Sequence, residues 1–496
     1  MTVVLIPSYQ CNMECEYCYE GHEKMNSEII SFADAEKIIE YLKTVRQPIE
    51  FILLGGEPIY GENLKIIRRF FEEFREARTD YNISCVSNGL EVTDNINHIK
   101  QIGISHFQLT LDGTMEIHNK RKKSKILAKN SFEEACKAIE VLLKNDIQVD
   151  VRVNIDQDNV TSITKIAELI AEKRWNNNKL FSVYIYPITF SGNKKDKRYL
   201  SEAKLFELVL NQLEQIPNYQ NVFVLDFHGV AFVDTVIQKK IFLPQFSFCA
   251  ACGNQIVFDG NKRIYTCWWG ANNKEFEIGK FDENHVSIDN EKWKMWSEHS
   301  VDMIEECEKC KYCYICGGGC TFKAFLRWGD LRRGNCAEFK EIVRMYLKYI
   351  IGKTSTYSQI INLKYAILKQ VLMDNEMIKI QVKGNSMEPE IRNGEKVAIY
   401  YANNDLKVGD IVLYNCGEIL KLHRIIALKN DSYVVKGDNE EYSEFVNHEN
   451  IIGKVVCNKE KKKAVEYYTE VVKRYLGNYC LIMEFRNSEL VKIEVL

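Results

Sequence analysis

A chain of 496 residues is too long for one hydrophobic core and divides into several domains. Its hydrophobic fraction of 46%, charged fraction of 27% and net charge of −3 are those of an ordinary globular protein and exclude a basic face for nucleic acid. No run approaches the roughly 18 apolar residues of a membrane span. Met1 to Pro7 carries no basic stretch ahead of a cleavage site, so no secretory signal is read and a soluble cytoplasmic protein is expected.

β-rich runs at Val3–Ile6, Glu50–Leu54, Ile83–Val86, His106–Leu111, Val149–Ile155 and Phe181–Tyr186 alternate with helical periodicity, as at Ala33–Val45, Leu64–Ala77, Phe132–Leu143 and Ser162–Glu172. Strand–helix units in series predict a parallel α/β sheet, either an open barrel or a doubly wound sheet. Residues 200–245 read as helical and then irregular. Residues 246–336 are rich in cysteine, glycine and aromatics, with too little apolar surface for a core of their own, so bound metal is expected to organise them. Residues 337–373 are amphipathic and read as a helical connector. From Ile378 the pattern is all-β, at Ile378–Val382, Lys396–Tyr401, Asp410–Tyr414, Ile419–Ile426, Tyr433–Lys436 and Ile452–Val456, with turns at Asn393-Gly394 and Gly437-Asp438. Ala464–Tyr475 reads as a final helix.

Cysteine is the unusual residue. Of 17, twelve fall into three clusters, Cys11 to Cys18, Cys249 to Cys267 and Cys307 to Cys336. Clustered cysteines in a large cytosolic chain more often bind metal than form disulfides. Cys85, Cys136, Cys416, Cys457 and Cys480 stand apart and read as buried small hydrophobes. Cys11-x3-Cys15-x2-Cys18 follows the first strand. Soft thiolates select iron–sulfur clusters or zinc; zinc normally closes with four ligands, whereas three thiolates leave one iron of a 4Fe–4S cube open to substrate.

Cys11-x3-Cys15-x-Tyr17-Cys18 resembles the cluster motif of the radical S-adenosylmethionine superfamily. The ends of the following strands agree with it: Gly55-Gly56-Glu57-Pro58, Ser87-Asn88-Gly89, Leu109-Thr110-Leu111-Asp112-Gly113 with His118 and Arg121 beyond, Val151-Arg152-Val153-Asn154, and Tyr184, Tyr186 and Pro187. A Gly-Gly or an Asn-Gly alone is only a turn signal; together they lie at successive strand ends, where an α/β barrel builds its site. The resemblance covers residues 1 to 230 and implies a partial (β/α)6 barrel. It also implies that a 4Fe–4S cluster on Cys11, Cys15 and Cys18 cleaves bound S-adenosylmethionine to methionine and a 5′-deoxyadenosyl radical, which takes a hydrogen atom from substrate. Tyr17, Gly55, Gly56, Glu57, Pro58, Ser87, Asn88, Asp112, Arg152, Asn154 and Tyr186 are then expected at the cofactor. Glu57 would meet its amino group, Arg152 its carboxylate through a guanidinium fork and Asn154 its ribose. An electron donor of the flavodoxin or ferredoxin type is expected.

Cys307-x2-Cys310-x5-Cys316-Gly317-Gly318-Gly319-Cys320, with Cys336 beyond and Cys249, Cys252, Gly260 and Cys267 upstream, resembles the SPASM extension of that superfamily. Two features depart from it: six residues rather than four separate Gly260 from Cys267, and Cys313 is extra, either a replacement ligand or a free thiol. The resemblance implies two auxiliary 4Fe–4S clusters, one on Cys249, Cys252, Cys267 and Cys320, the other on Cys307, Cys310, Cys316 and Cys336. Two zinc knuckles are the competing reading of the C-x2-C pairs. SPASM proteins mostly modify peptides or proteins. In the branch that oxidises a sulfatase residue to formylglycine, an acidic residue follows the cysteine at the place of Cys267; here Trp268 and Trp269 follow. The expected substrate is therefore a ribosomally made precursor peptide, with thioether crosslinking as an example of the chemistry, and an anaerobic sulfatase activator is the alternative. Because the first strand opens the sequence, leader binding is expected elsewhere than before Cys11.

Gly384-Asn385-Ser386-Met387-Glu388-Pro389, then Val408 to Val412, His423-Arg424-Ile425-Ile426 and Lys436-Gly437-Asp438-Asn439, resemble in order the motifs of type I signal peptidases and LexA-like peptidases over residues 378 to 457. A serine hydroxyl needs a base. Histidine at the place of His423 is the archaeal and endoplasmic-reticulum pattern, where bacterial enzymes have lysine. The resemblance implies that Ser386 attacks, His423 takes its proton and Asp438 orients the imidazole. Lys421 shares that strand face and is the second candidate base, and a domain that only binds the leader is the other reading. The expected organisation is a radical core at 1–230, auxiliary clusters at 231–340, a helical linker at 341–376 and a signal-peptidase-like domain with a terminal helix at 377–496. The expected function is a fused peptide maturase, and a soluble serine peptidase with an iron–sulfur sensor is the rival from another class.

Overall fold

The computed structural model describes residues 1–20, 28–188, 199–216, 222–237, 243–310, 312–336, 338–353, 372, 377–402, 406–416, 419–429, 432–455, 481–486 and 489–495. The chain forms two compact units, Met1–His228 with Phe246–Glu308 and Gly317–Ile342, and Gly229–Gln245 with Lys309–Cys316 and Val343–Leu496.

In the first unit the strands run, in chain order, β1 (Thr2–Ile6), β2 (Met13–Cys15), β3 (Ile49–Leu53), β4 (Tyr81–Val86), β5 (His106–Thr110), β6 (Lys122–Ser124), β7 (Gln148–Ile155), β8 (Phe181–Pro187), β9 (Val224–Leu225), β10 (Gln255–Asp259), β11 (Arg263–Tyr265), β12 (Gly279–Phe281) and β13 (Val286–Ile288). Eleven of them make one sheet, ordered β13-β12-β11-β10-β1-β3-β4-β5-β7-β8-β9. All pairs from β10 to β9 are parallel. Six of these strands, β1, β3, β4, β5, β7 and β8, are the expected barrel strands in consecutive order. Val3, Val4, Leu5 and Ile6 are all buried, the continuous apolar run of a parallel strand covered on both faces.

The connecting helices follow the periodicity closely, at Phe32–Lys43, Glu62–Ala77, Ser131–Lys144 and Ile163–Glu172. The first starts on a reciprocal cap, Asp34 N donating to Ser31 Oγ (3.1 Å) and Ser31 N to Asp34 Oδ2 (3.1 Å). The second lays Phe70, Phe71 and Phe74 edge-on around Phe51 of β3, at ring distances of 5.8, 5.0 and 5.1 Å.

The cysteine-rich middle does not wait on metal for all its order. β10 is buried along its whole length and extends the barrel sheet beside β1, and β11–β13 continue it antiparallel. Its Phe258, Phe276, Phe281 and Trp296 are buried. The expectation overlooked that a short apolar strand can join a neighbouring core instead of building one.

The second unit has β14 (Met377–Gln381), β15 (Lys396–Tyr401), β16 (Ile411–Cys416), β17 (Ile419–Lys429), β18 (Ser432–Lys436), β19 (Ser443–Asn447) and β20 (Ile451–Val455) in one antiparallel sheet ordered β14-β15-β20-β16-β17-β18-β19. Ile411 and Leu413 join one apolar cluster and Val412 and Tyr414 the other, so β16 alternates between two buried faces. β19 was not expected. It is an edge strand of only five residues, with Val446 buried and Phe445 exposed, too little apolar sequence to read as a strand. β21 (Leu481–Arg486) and β22 (Glu489–Val495) form a separate hairpin. The expected connector is helical over Phe339–Lys353; most of its remainder and the expected helix Ala464–Tyr475 lie outside the described residues. Among the described residues no helix is long and apolar enough to cross a membrane.

Candidate functional site

The loop carrying Cys11, Cys15 and Cys18 follows β1 and is pinned by the short β2–β6 ribbon, which sets Cys15 opposite Lys122. Glu16 N donates to Arg121 O (2.9 Å), Lys125 N to Asn12 O (2.9 Å) and Cys18 N to Cys15 O (3.2 Å). Burial, with Glu57 and the other two thiols nearby, pushes the Cys11 thiol up to about 12. Burial likewise raises Cys15. Left free, these thiols keep their protons at neutral pH, and bound metal would displace them.

Gly55–Pro58 presses against this loop. Gly56 has φ +43°, and a Cβ there would lie 2.1 Å from Gln10 O, so no larger residue fits. Glu57 N donates to Gln10 O (2.9 Å). Glu57 is 1% exposed and its carboxylate accepts from Ser87 Oγ (2.8 Å), Asn88 N (2.7 Å) and Ile59 N (3.1 Å). That engages three of about four acceptor positions. Ser87 and Asn88, expected at the cofactor, therefore hold Glu57, while Asn88 Nδ2 also points at Cys11 Sγ (3.8 Å). Glu20, which no motif marked, accepts from Gly56 N (2.9 Å) and stitches the two loops from the other side.

Expected at the cofactor, Asp112 is instead fully buried and its carboxylate is committed inward. One oxygen accepts from the Tyr17 hydroxyl and the other from Asn154 N (3.1 Å), with Arg121 Nε 3.7 Å away. Arg121 also pairs with Asp156 (2.8 Å), and Asn154 Nδ2 donates to Tyr17 Oη (3.3 Å). Tyr17, Asp112 and Asn154 thus tie the cysteine loop to the ends of β5 and β7. A carboxylate in a dry interior needs donors and a cation, and sequence does not say whether a ligand or Arg121 supplies them.

What remains open here is donors. Arg152 lies with its guanidinium 3.7 Å from the centre of the Tyr186 ring, and its Nε is buried with no hydrogen bond. Asn12 Nδ2 is buried in the same condition. Lys122, which sequence reasoning missed, is buried. Burial works to lower its pKa but is outweighed by Cys15, Asp112, Cys11 and Glu57, which leave it raised. Three thiols, a buried cation and unpartnered donors suit a thiolate-bound cluster and an anionic group such as a carboxylate.

The structure brings Cys249, Cys252, Cys267 and Cys320 together. Cys249 and Cys252 share a hydrogen bond that raises the first and lowers the second, and Cys252 Sγ lies 3.3 Å from Thr321 Oγ1. Burial raises Cys267 and Cys320, and each also feels the charge of Cys249. Cys307 and Cys336 belong to the first unit, where Cβ atoms added at Gly318 and Gly334 would come within 3.9 and 3.3 Å of their sulfurs. Cys310, Cys313 and Cys316 belong to the second unit, where Cys313–Cys316 is a single helical turn. Gly317, Gly318 and Gly319 have φ of +66°, +79° and +77°, a left-handed run open only to glycine. Among the described residues no three metal-binding side chains converge on one ion; a four-iron cube spaces its sulfurs more widely than a single tetrahedral ion does. Tyr19, also missed, feels both Cys18 and Cys267 and packs 4.6 Å from Trp269.

In the second unit Asn439 N donates to Ser386 O (2.8 Å), which ties the serine turn to Gly437–Asn439. Among the described residues the half-buried Ser386 has no hydrogen bond on its hydroxyl. His423 is 2% exposed and burial lowers its pKa. Asp438 does not orient it. That carboxylate is held at two points by Arg424 (2.8 and 2.7 Å). The group on His423 Nδ1 is the Tyr414 hydroxyl, at 2.8 Å, and Glu440 Oε2 lies 3.3 Å from Nε2. Lys421 is bonded to Glu444, which raises its pKa and keeps it an ammonium with no lone pair to offer as a base.

Residues 5–170 match the Radical SAM superfamily and residues 349–456 match the Peptidase S24-like family. The chain is 21% identical over 374 residues to the cysteine-type anaerobic sulfatase-maturating enzyme of Clostridium novyi, covering 71% of this chain and 97% of that protein. It is 18% identical over 373 residues to the radical SAM cyclopropyl synthase TigE of Paramaledivibacter caminithermalis, covering 70% and 74%. Among solved structures it resembles native anSMEcpe with bound AdoMet, with a TM-score of 0.55 and 18% identity, covering 73% of this chain and 98% of that one.

Proposed function

We propose that this chain, a radical SAM domain followed by a peptidase S24-like domain, is an iron–sulfur maturase of a ribosomally made peptide whose carboxyl-terminal unit binds or cleaves the leader. The observation that carries the radical half is the barrel rim, where the Glu57 and Asp112 carboxylates are bonded within the chain while the buried donors Arg152 Nε and Asn12 Nδ2 have no hydrogen bond. When bound there, the cluster and S-adenosylmethionine supply a 5′-deoxyadenosyl radical for hydrogen-atom abstraction. Cys11, Cys15 and Cys18 hold the cluster, Arg152 takes the cofactor carboxylate, and Glu57 keeps one acceptor position for its amino group. Tyr17, Asp112 and Asn154 hold the loop rigid, and Tyr186 fixes the Arg152 plane. Cys249, Cys252, Cys267 and Cys320 hold one auxiliary cluster. A flavodoxin- or ferredoxin-type protein supplies electrons.

Two relatives support a radical modification reaction: one is named for maturing a sulfatase, the other for making a cyclopropyl group. The sulfatase-maturating relative, matched over 97% of its length, also keeps a second reading alive, formylglycine formation. Trp268, where that branch places an acid, counts against it. Anaerobically purified Ser386→Ala protein, incubated with a small-peptide extract of its host, should retain one short cysteine-containing precursor. After cofactor and reductant are added, mass spectrometry should find it lighter by the two hydrogens each crosslink removes. Retention of a folded protein instead would sink the peptide reading in favour of the sulfatase activator.

A further inference from the structure

In the second unit Tyr414 and Glu444, which the motifs leave unassigned, join Lys421 and His423 in one line of polar side chains. Lys421 on β17 is bonded to one oxygen of Glu444 on β19, and the other oxygen accepts from the Tyr414 hydroxyl of β16 at 2.9 Å. Tyr414 Oη in turn lies 2.8 Å from His423 Nδ1. Tyr414 is 1% exposed and His423 2%, so water does not complete these contacts.

A phenol has one hydrogen to give. Against burial, which would raise it, Lys421 and Tyr414 hold the Glu444 carboxyl below its ordinary range, so Glu444 is an acceptor only. The phenol hydrogen therefore goes to Glu444, and Tyr414 Oη can only accept from the imidazole. The opposite arrangement would need Nε2 to donate to Glu440. Yet Glu440 Oε2 is buried without a hydrogen bond, and its 3.3 Å contact is longer than the other two. We propose that Tyr414 and Glu444 are positioning residues that lock His423 as the Nδ1–H tautomer and so leave Nε2 as the base for Ser386, the role the motifs expected of Asp438. The inference rests on the peptidase reading of this unit.

In such a site Ser386 Oγ bonds to the scissile carbonyl carbon as its proton passes to His423 Nε2. The imidazolium is steadied through Nδ1 by Tyr414 and the negative Glu444. The C–N bond then breaks as Nε2 returns that proton to the leaving amine. Water then bonds to the ester carbonyl carbon as its proton passes to Nε2, and the C–O bond breaks as Nε2 returns that proton to Ser386 Oγ. Besides Tyr414, the groups facing His423 are Glu440, Glu444, Lys421 and Asp438. Glu440 must turn away from Nε2 when substrate enters.

The test uses the full chain and a fluorophosphonate probe, which bonds its phosphorus to serine oxygen, releases fluoride and sends the serine proton to the base. Ser386-dependent labelling should rise along an acid limb set by His423. Tyr414→Phe should lower its rate by about 10²-fold or more and displace that limb, with Glu444→Gln between the two. Imidazole nitrogen shifts in protein carrying ¹⁵N-histidine, assigned with His423→Gln, should show Nδ1–H in the wild type and a mixture in Tyr414→Phe. Unchanged labelling, acid limb and tautomer in Tyr414→Phe would overturn the inference, as would a loss confined to Asp438→Asn. If wild type and Ser386→Ala label alike, the peptidase reading falls by itself, and the nitrogen shifts still decide whether Tyr414 sets the tautomer.

Discussion

The barrel rim and the carboxyl-terminal sheet bury their ionisable groups in opposite senses. On the rim, Glu57 and Asp112 are surrounded by donors and cations, and among the described residues the buried groups without a hydrogen bond include the donors Arg152 Nε, Arg121 Nη2 and Asn12 Nδ2. In the sheet, Lys421, Glu444, Tyr414 and His423 meet in sequence, and Glu440 Oε2, 3.3 Å from His423 Nε2, is a buried acceptor with no hydrogen bond. A region prepared for an anionic ligand keeps donors in reserve; a region prepared to remove a proton keeps a lone pair. The two kinds of site are told apart by which polar atoms stay unbonded, more than by which residue types are present.

The strongest way to break this comparison is to remove one rim thiol. Cys15→Ala should abolish cofactor cleavage and lower iron by about four atoms per chain while Ser386 keeps its reaction with fluorophosphonate. Loss of both activities would show that the units do not work independently. A smaller effect tests whether Asp112 is a strut. Asp112→Ala leaves the 5%-exposed Arg121 side chain with Asp156 as its remaining acidic partner, at a cost of about 3–5 kcal/mol by urea unfolding of the first unit. A cost below about 1 kcal/mol would return Asp112 to the cofactor.

The smallest effect concerns pH. Burial holds His423 below the ordinary imidazole value. As pH falls through about 6.5, the unfolded chain takes up a proton that the folded one refuses. Stability from this group is therefore complete above about pH 6.5 and declines below it. Corrected amide exchange in β16–β18 should quicken between pH 7.5 and 5.5, and His423→Gln should flatten that change. Glu444, with a lowered pKa, adds its own loss only below about pH 4.3, so a decline that survives His423→Gln across the higher range would refute the assignment.

Periodicity was enough for the six barrel strands, because a strand such as Val3–Ile6, buried on both faces, is apolar throughout. It was also enough for β16, whose residues alternate between two cores. It failed at β10, whose apolar run reads the same whether it founds a core or joins one, and at β19, an edge strand with little apolar content. The motif residues of the rim were legible as a set, but their duties were not. Ser87 and Asn88 hold Glu57, and Glu20, Lys122 and Tyr19, outside every motif, sit among them.

Alone, the sequence determined the residue types at each strand end and the cysteine spacing, because both are local: a turn needs its glycine and a cluster loop its thiols within a few residues. Tertiary structure decided which charge answers which. Asn154 reaches Tyr17 across 137 positions, Glu444 reaches Tyr414 across 30, and Asp438 turns to Arg424 instead of His423. A buried polar group takes whichever complementary partner the packed chain brings within about 3 Å, and only the folded chain sets that distance.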